Sequence, residues 1–162
     1  MADQALIYPW AIEQGVDFPF GPVAVFGGAG APFANPNGAL PTAGSNVSLS
    51  GFTATAAIRQ LPSDTSTPLV SISTTPNAQG VILIQQSAGL YPFLVWTLQV
   101  IIYAAATLTL PAGYLGGAAS VGGVSLRYAV HVKGPATTLF PAGQTVPFAR
   151  GPVFVRASEI HP

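Results

Sequence analysis

Cysteine is absent from the chain, which excludes a disulfide framework, a thiolate zinc site and a cysteine nucleophile. Charge is nearly absent too. Asp, Glu, Lys and Arg make up 6% of the sequence, against about 25% in ordinary soluble domains. Five basic and five acidic residues cancel to a net charge of zero, so there is no overall field to draw in nucleic acid or an anionic membrane. From Thr65 to Leu126 no side chain is charged. A protein that stays apart from its neighbours in solution normally carries more charge than this. Much of its surface is therefore expected to lie against other protein.

The groups that do chemistry are equally sparse. Of two histidines, His131 falls on the outward side of a strand pattern beside Arg127 and Lys133, and His161 is the penultimate residue. The carboxylates Asp3, Glu13, Asp17, Asp64 and Glu159 are far apart, so no acid and base pair can be argued from them. No His-x-x-x-His or Asp-x-Asp-x-Asp run supports zinc or calcium. Gly27, Gly28 and Gly30 are not followed by the Lys-Ser/Thr of a phosphate loop, and Ser120 lies in no Gly-x-Ser-x-Gly elbow. The expectation is a protein without catalysis, cofactor or metal. Arg59, Arg127, Lys133, Arg150 and Arg156 are scattered singly along the chain, which gives no stripe for nucleic acid.

Leu90 to Leu110 is uncharged and about long enough to cross a bilayer. However, Trp96, Leu98, Val100 and Ile102 alternate with Thr97, Gln99, Ile101 and Tyr103, and Pro92 lies near its start. That pattern predicts a strand followed by a helical turn. Met-Ala-Asp-Gln-Ala lacks a basic segment and Pro9 follows Leu6-Ile7-Tyr8 at once, so no signal peptide and no membrane partner are expected.

What the chain does have is period-two alternation. In Val47 to Arg59, Val47 and Leu49 alternate with serines, Gly51 breaks the register, and Phe52, Ala54, Ala56 and Ile58 alternate with Thr53, Thr55, Ala57 and Arg59. This predicts two strand limbs meeting at a glycine corner. Val16 to Phe26 reads as a strand confined to an edge or bulge by Pro19 and Pro22. Leu69 to Thr74, Val81 to Gln85, Phe93 to Ile102, Val124 to Lys133 and Gly151 to Arg156 read as further strands. Val81 to Gln85, apolar on both faces, is expected to be central. Tyr103 to Leu108 fits one helical turn, and Pro141 to Gly143 and Pro147 are expected to break the chain after Leu139. In Val124 to Lys133 the inward residues are Leu126, Tyr128, Val130 and Val132.

The fold expected is all-β, a single antiparallel β-sandwich of immunoglobulin-like architecture with one short helical turn and long Gly/Pro-rich loops. Its core should contain Phe52, Ile58, Ile72, Leu83, Trp96, Leu98, Val100, Tyr128, Val130 and Val155. Residues 1–14 read as an extended N-terminal arm on a domain of residues 15–162, with uncharged insertions at 27–45 and 114–123. Tyr8, Pro9 and Trp10 form an apolar patch that covers an end of the domain's own core or reaches a neighbouring subunit. The expected interface residues are Trp10 of the arm, Phe33 and Leu40 of the first insertion, and Tyr114 and Leu115 of the second. Burying such uncharged segments strands no charge.

The corner segment Val-Ser-Leu-Ser-Gly-Phe-Thr-Ala-Thr-Ala-Ala-Ile-Arg also resembles a signature of small phage virion proteins related to the N-terminal domain of upper baseplate proteins. Glu13-Gln-Gly-Val-Asp-Phe18 is similar to that family's opening. Leu69 to Thr74, Gly80 to Ile84, Ala104 to Gly113, Tyr128 to Val132 and Gly151 to Val155 follow in the family's order. The resemblance implies a non-enzymatic structural component of a tailed bacteriophage virion, assembled in the host cytoplasm and placed in the tail, baseplate or neck. Its partners would be other phage structural proteins or copies of itself, in a homo-oligomer, ring or shell. A capsid decoration protein on the phage head is the alternative. A host-receptor or glycan-binding β-module is a second, and would use Trp10, Tyr91 or Tyr114.

Overall fold

A computed structural model describes residues 6–26, 51–60, 67–87, 95–112, 126–133 and 145–157. In chain order the strands are β1 (Leu6–Ile7), β2 (Trp10–Glu13), β3 (Phe18–Phe26), β4 (Thr53–Gln60), β5 (Val70–Ser73), β6 (Gly80–Ser87), β7 (Val95–Ile102), β8 (Leu126–Lys133) and β9 (Thr145–Arg156). A single short helix, α1 (Ala104–Leu108), is described after β7.

Strands β4 and β8 form where the alternation is cleanest. Ala54, Ala56 and Ile58 are buried in β4, and Leu126, Tyr128, Val130 and Val132 in β8, while Arg127, His131 and Lys133 are exposed. The two strands pair antiparallel from Thr53↔Lys133 to Gln60↔Leu126. Gly51 ahead of β4 has φ +85°, a left-handed conformation that explains glycine at the predicted corner; the other limb, Val47 to Ser50, lies outside the described residues.

Two sheets result. One has β1 and β2 in succession along one edge of β9, followed by β8, β4 and β5; the other is β3-β7-β6. Trp10, Ile12, Ile58, Ile72, Val130, Phe148 and Val155 from the first face Phe20, Ile82, Leu98, Val100 and Ile102 from the second in one core. The protein is an all-β sandwich. Strand β3 lies at an edge of its sheet with a register shift between Phe20 and Val23, around Gly21-Pro22, where the prolines required it.

The structure corrects four expectations. Residues 6–13, set apart in the sequence as an arm, are strands of the first sheet and run parallel to β9, so that sheet is mixed and not purely antiparallel. Strand β6 is at an edge, and β7 is the middle strand of the second sheet. On the face of β6 away from Ile82, Val81 is buried and Leu83 half-buried, in register beside Ile101 and Gln99 of β7, so an apolar second face does not by itself mark a central strand. Strand β9 runs unbroken through Pro147 and Pro152, because a register shift between Val130 and His131 of β8 accommodates one extra residue, Phe148. That bulge turns Phe148 into the core, where it is fully buried. Finally, Leu83 is only half-buried.

Of the other expected core residues, Ile58, Ile72, Leu98, Val100, Tyr128, Val130 and Val155 are buried, and Phe52 packs partly buried against them. The Trp96 side chain lies outside the described residues, as do the insertions at 27–45 and 114–123. Of the Leu90 to Leu110 segment, residues 95–110 are described and contain β7 and α1, and no described helix is long and apolar enough to cross a membrane.

The N-terminal strands approach β9 at Gly151. A β-carbon there would run into the carbonyl of Tyr8, whose amide donates to the Arg150 carbonyl at 3.2 Å. Gly151→Ala is expected to push the first strands off β9 and cost about 1–3 kcal/mol, read as a lower urea midpoint.

Candidate interaction surface

Trp10 and Tyr128 stack within the core of the sandwich. The rings of Trp10 and Tyr128 stack 3.6 Å apart at 7°, and Phe18 and Phe20 of β3 each lie 5.3 Å from Trp10. The Tyr128 hydroxyl donates to the Tyr8 carbonyl at 2.6 Å. Trp10 is 1% exposed, so the expectation that it forms an intermolecular interface is corrected: its indole is already committed to the domain's own core. The remaining expected interface residues, Phe33, Leu40, Tyr114 and Leu115, lie outside the described residues.

Burial pushes the Tyr128 hydroxyl up to about 12 from 10.0. The neutral phenol is favoured in the folded state, so its contribution is fully present below pH 10 and is lost as pH rises through 12. Tyr128→Phe keeps the stacked ring but removes the hydrogen bond, at a cost of about 1 kcal/mol at neutral pH. Its stability is expected to fall less between pH 10 and 12 than that of the wild type, as chemical denaturation at stepped pH would show.

At the other end, α1 is held by polar groups from the β2–β3 turn. Asp17 Oδ1 accepts from the Ala104 amide at 2.7 Å, taking the role the helix's own N-cap, Tyr103, leaves unfilled. The buried Thr107 hydroxyl accepts from the Gly15 amide at 3.1 Å and lies 2.9 Å from the Val16 and Ala104 carbonyls, to which it can donate. Gln14 donates its side-chain amide to the Leu110 carbonyl at 2.5 Å. One of the few carboxylates is thus occupied in shaping a turn. Among the described residues no three of His, Asp and Glu are grouped as a metal site would need.

The basic residues have a different distribution from the one their sequence spacing suggests. Arg59 and Arg127 are direct cross-strand partners, and Arg150 is the partner of Ala129, two positions along β8 from Arg127. Lys133 pairs with Thr53 and Thr145, His131 with Thr55 and Pro147, and Arg156 with Glu13. Partners in register share a face, so all five Lys and Arg residues of the chain collect on the outer face of the first sheet. A depression of about 950 Å³ there is lined by Thr55, Ala57, Ser71 and Ala129 together with Arg59, Arg127, His131 and Arg150. Arg59, Arg127, His131 and Lys133 were legible as outward-facing within their own strands, whereas Arg150 fell ahead of the strand expected at Gly151 to Arg156. The strand order that gathers them was not.

No protein-family model and no curated protein matches this chain.

Proposed function

We propose that this chain is a non-enzymatic structural subunit of a tailed bacteriophage virion, in the tail, baseplate or neck, working through protein–protein contacts in a homo-oligomer or a larger assembly. The observation that carries the reading is the scarcity of charge, beside several exposed apolar side chains. Charged residues are 6% of the sequence, and Ile7, Tyr8, Val16, Leu108 and Phe154 are all exposed. Side chains of that kind suit contact with other protein. The resemblance of Val47 to Arg59 and its companion segments to baseplate-related virion proteins points to the same class.

The glycan-binding reading loses one of its three candidate rings, since Trp10 is stacked in the core. Mass spectrometry of purified particles tests the proposal. The chain should be present at a copy number that fits a tail or neck ring; hundreds of copies would place it on the head instead, and its absence from particles would refute the class.

A further inference from the structure

We propose that the outer edge of β6 is a self-association site, where a second copy of this chain adds its own β6 antiparallel and joins two three-stranded sheets into one. This rests on the reading of the chain as a subunit that acts through protein contacts, and it adds the place and register of one contact.

Exposed sheet edges are normally guarded against pairing with another chain, and the other edges described here are guarded. Strands β1 and β2 are two and four residues long, with Pro9 between them. Strand β3 carries Pro19, Pro22 and a register shift. Strand β5 is closed by side chains. Gln79 Oε1 accepts from the Ser71 amide at 2.8 Å, Asn77 Nδ2 donates to the Ser71 carbonyl at 2.9 Å, and Gln79 Nε2 donates to the Leu69 carbonyl at 3.3 Å. Those bonds take the place of a further strand.

Strand β6 has none of these devices. It runs for eight residues in unbroken register with β7, without proline or charge, and among the described residues β7 is its one strand partner. The Tyr103 amide donates to the Gln79 carbonyl, so in the alternation of an antiparallel ladder Val81, Leu83 and Gln85 turn their backbone groups toward β7. Ile82 and Ile84 turn theirs toward the open edge.

The side chains select a second copy as the occupant. Residues opposite one another in an antiparallel pair share a face, so a two-fold pairing of β6 with itself must centre on a residue. Centred on Leu83, it sets Leu83 against Leu83, Val81 against Gln85, and Ile82 against Ile84 of the other copy. Ile82 and Ile84 then exchange the backbone hydrogen bonds they turn outward. Ile82 is buried and Ile84 packs partly buried against the core, so their pairing carries the apolar row across the join. With no charge in the strand, no like charges meet.

The test uses the full chain in analytical ultracentrifugation, together with single introduced thiols. The wild type is expected to dimerise as its concentration rises toward about 1 mM. Leu83→Lys would set two cations against each other at the two-fold axis, and should weaken the dimer about tenfold or more while circular dichroism stays unchanged. Because the chain has no cysteine, Leu83→Cys carries a unique thiol. The pairing brings the two copies of that position to a Cα separation of about 4.5 Å, within disulfide range. Mild oxidation should link Leu83→Cys into a covalent dimer and leave Gln85→Cys, whose two copies would lie about 14 Å apart, unlinked. This readout decides the matter if Leu83→Lys does not fold. A wild type that stays monomeric to about 1 mM would overturn the inference. So would an undiminished dimer in folded Leu83→Lys, or cross-linking of Gln85→Cys as readily as Leu83→Cys. Virion membership is tested on particles and this contact on the isolated chain, so either can fail alone.

Discussion

Trp10→Ala is expected to destabilise the sandwich by about 3–5 kcal/mol, a large part of the roughly 5–15 kcal/mol that holds a typical domain together. The side chain is 1% exposed and contacts both layers: it stacks on Tyr128 of β8 and lies against Phe18 and Phe20 of β3. Its removal leaves a cavity between sheets that cannot close without shifting a backbone. One feature tempers the loss. The indole Nε1 is buried without a hydrogen-bond partner among the described residues, an arrangement that itself costs about 1–3 kcal/mol. Trp10→Phe discards that unsatisfied donor while keeping an aromatic ring, and should cost distinctly less than Trp10→Ala. Urea denaturation of the two variants decides the matter. Equal losses would mean that the whole indole shape, and not simply a ring over Tyr128, is what the core requires.

The sequence made the interior strands visible and concealed what joins distant segments. Strands β4, β7 and β8, and helix α1, were legible because each carries its own period or punctuation: Ala54-x-Ala56-x-Ile58, Trp96 to Ile102, Leu126 to Val132, and Tyr103 with Pro111. The first two strands were not, since β2 is four residues long and its partner lies at the other end of the chain. Parallel pairing of that kind leaves no local trace; it depends on Gly151 permitting the close approach of Tyr8. The bulge at Phe148 was hidden for a similar reason. Pro147 looks like a break until β8 is alongside to show that the ladder resumes at Ala149. The cationic face repeats the pattern: Arg59 and Arg127 are 68 positions apart in the chain (127 − 59) and opposite one another in the sheet.

Deletion of residues 1–13 is expected to abolish cooperative folding, because that segment supplies β1 and β2 and is not a detachable arm. It contributes two fully buried side chains, Trp10 and Ile12. Burying a tryptophan removes about 150–250 Å² from water, worth about 4–6 kcal/mol at 25 cal/mol per Å², and an isoleucine adds about 1.5–3 kcal/mol. Together these approach the whole stability of a domain. The loss also strips β9 of its parallel partners from Leu6↔Ala149 to Glu13↔Arg156. An unpaired strand edge above an emptied core is a template for aggregation. A synthetic peptide covering residues 1–14, added while the truncated chain refolds, should restore a cooperative urea transition by occupying the vacant place beside β9. Its Trp10 fluorescence should shift to the blue as the indole is buried against Tyr128. A truncated chain that unfolds cooperatively at the wild-type midpoint, without the peptide, would show that β8 and β9 close the core by themselves.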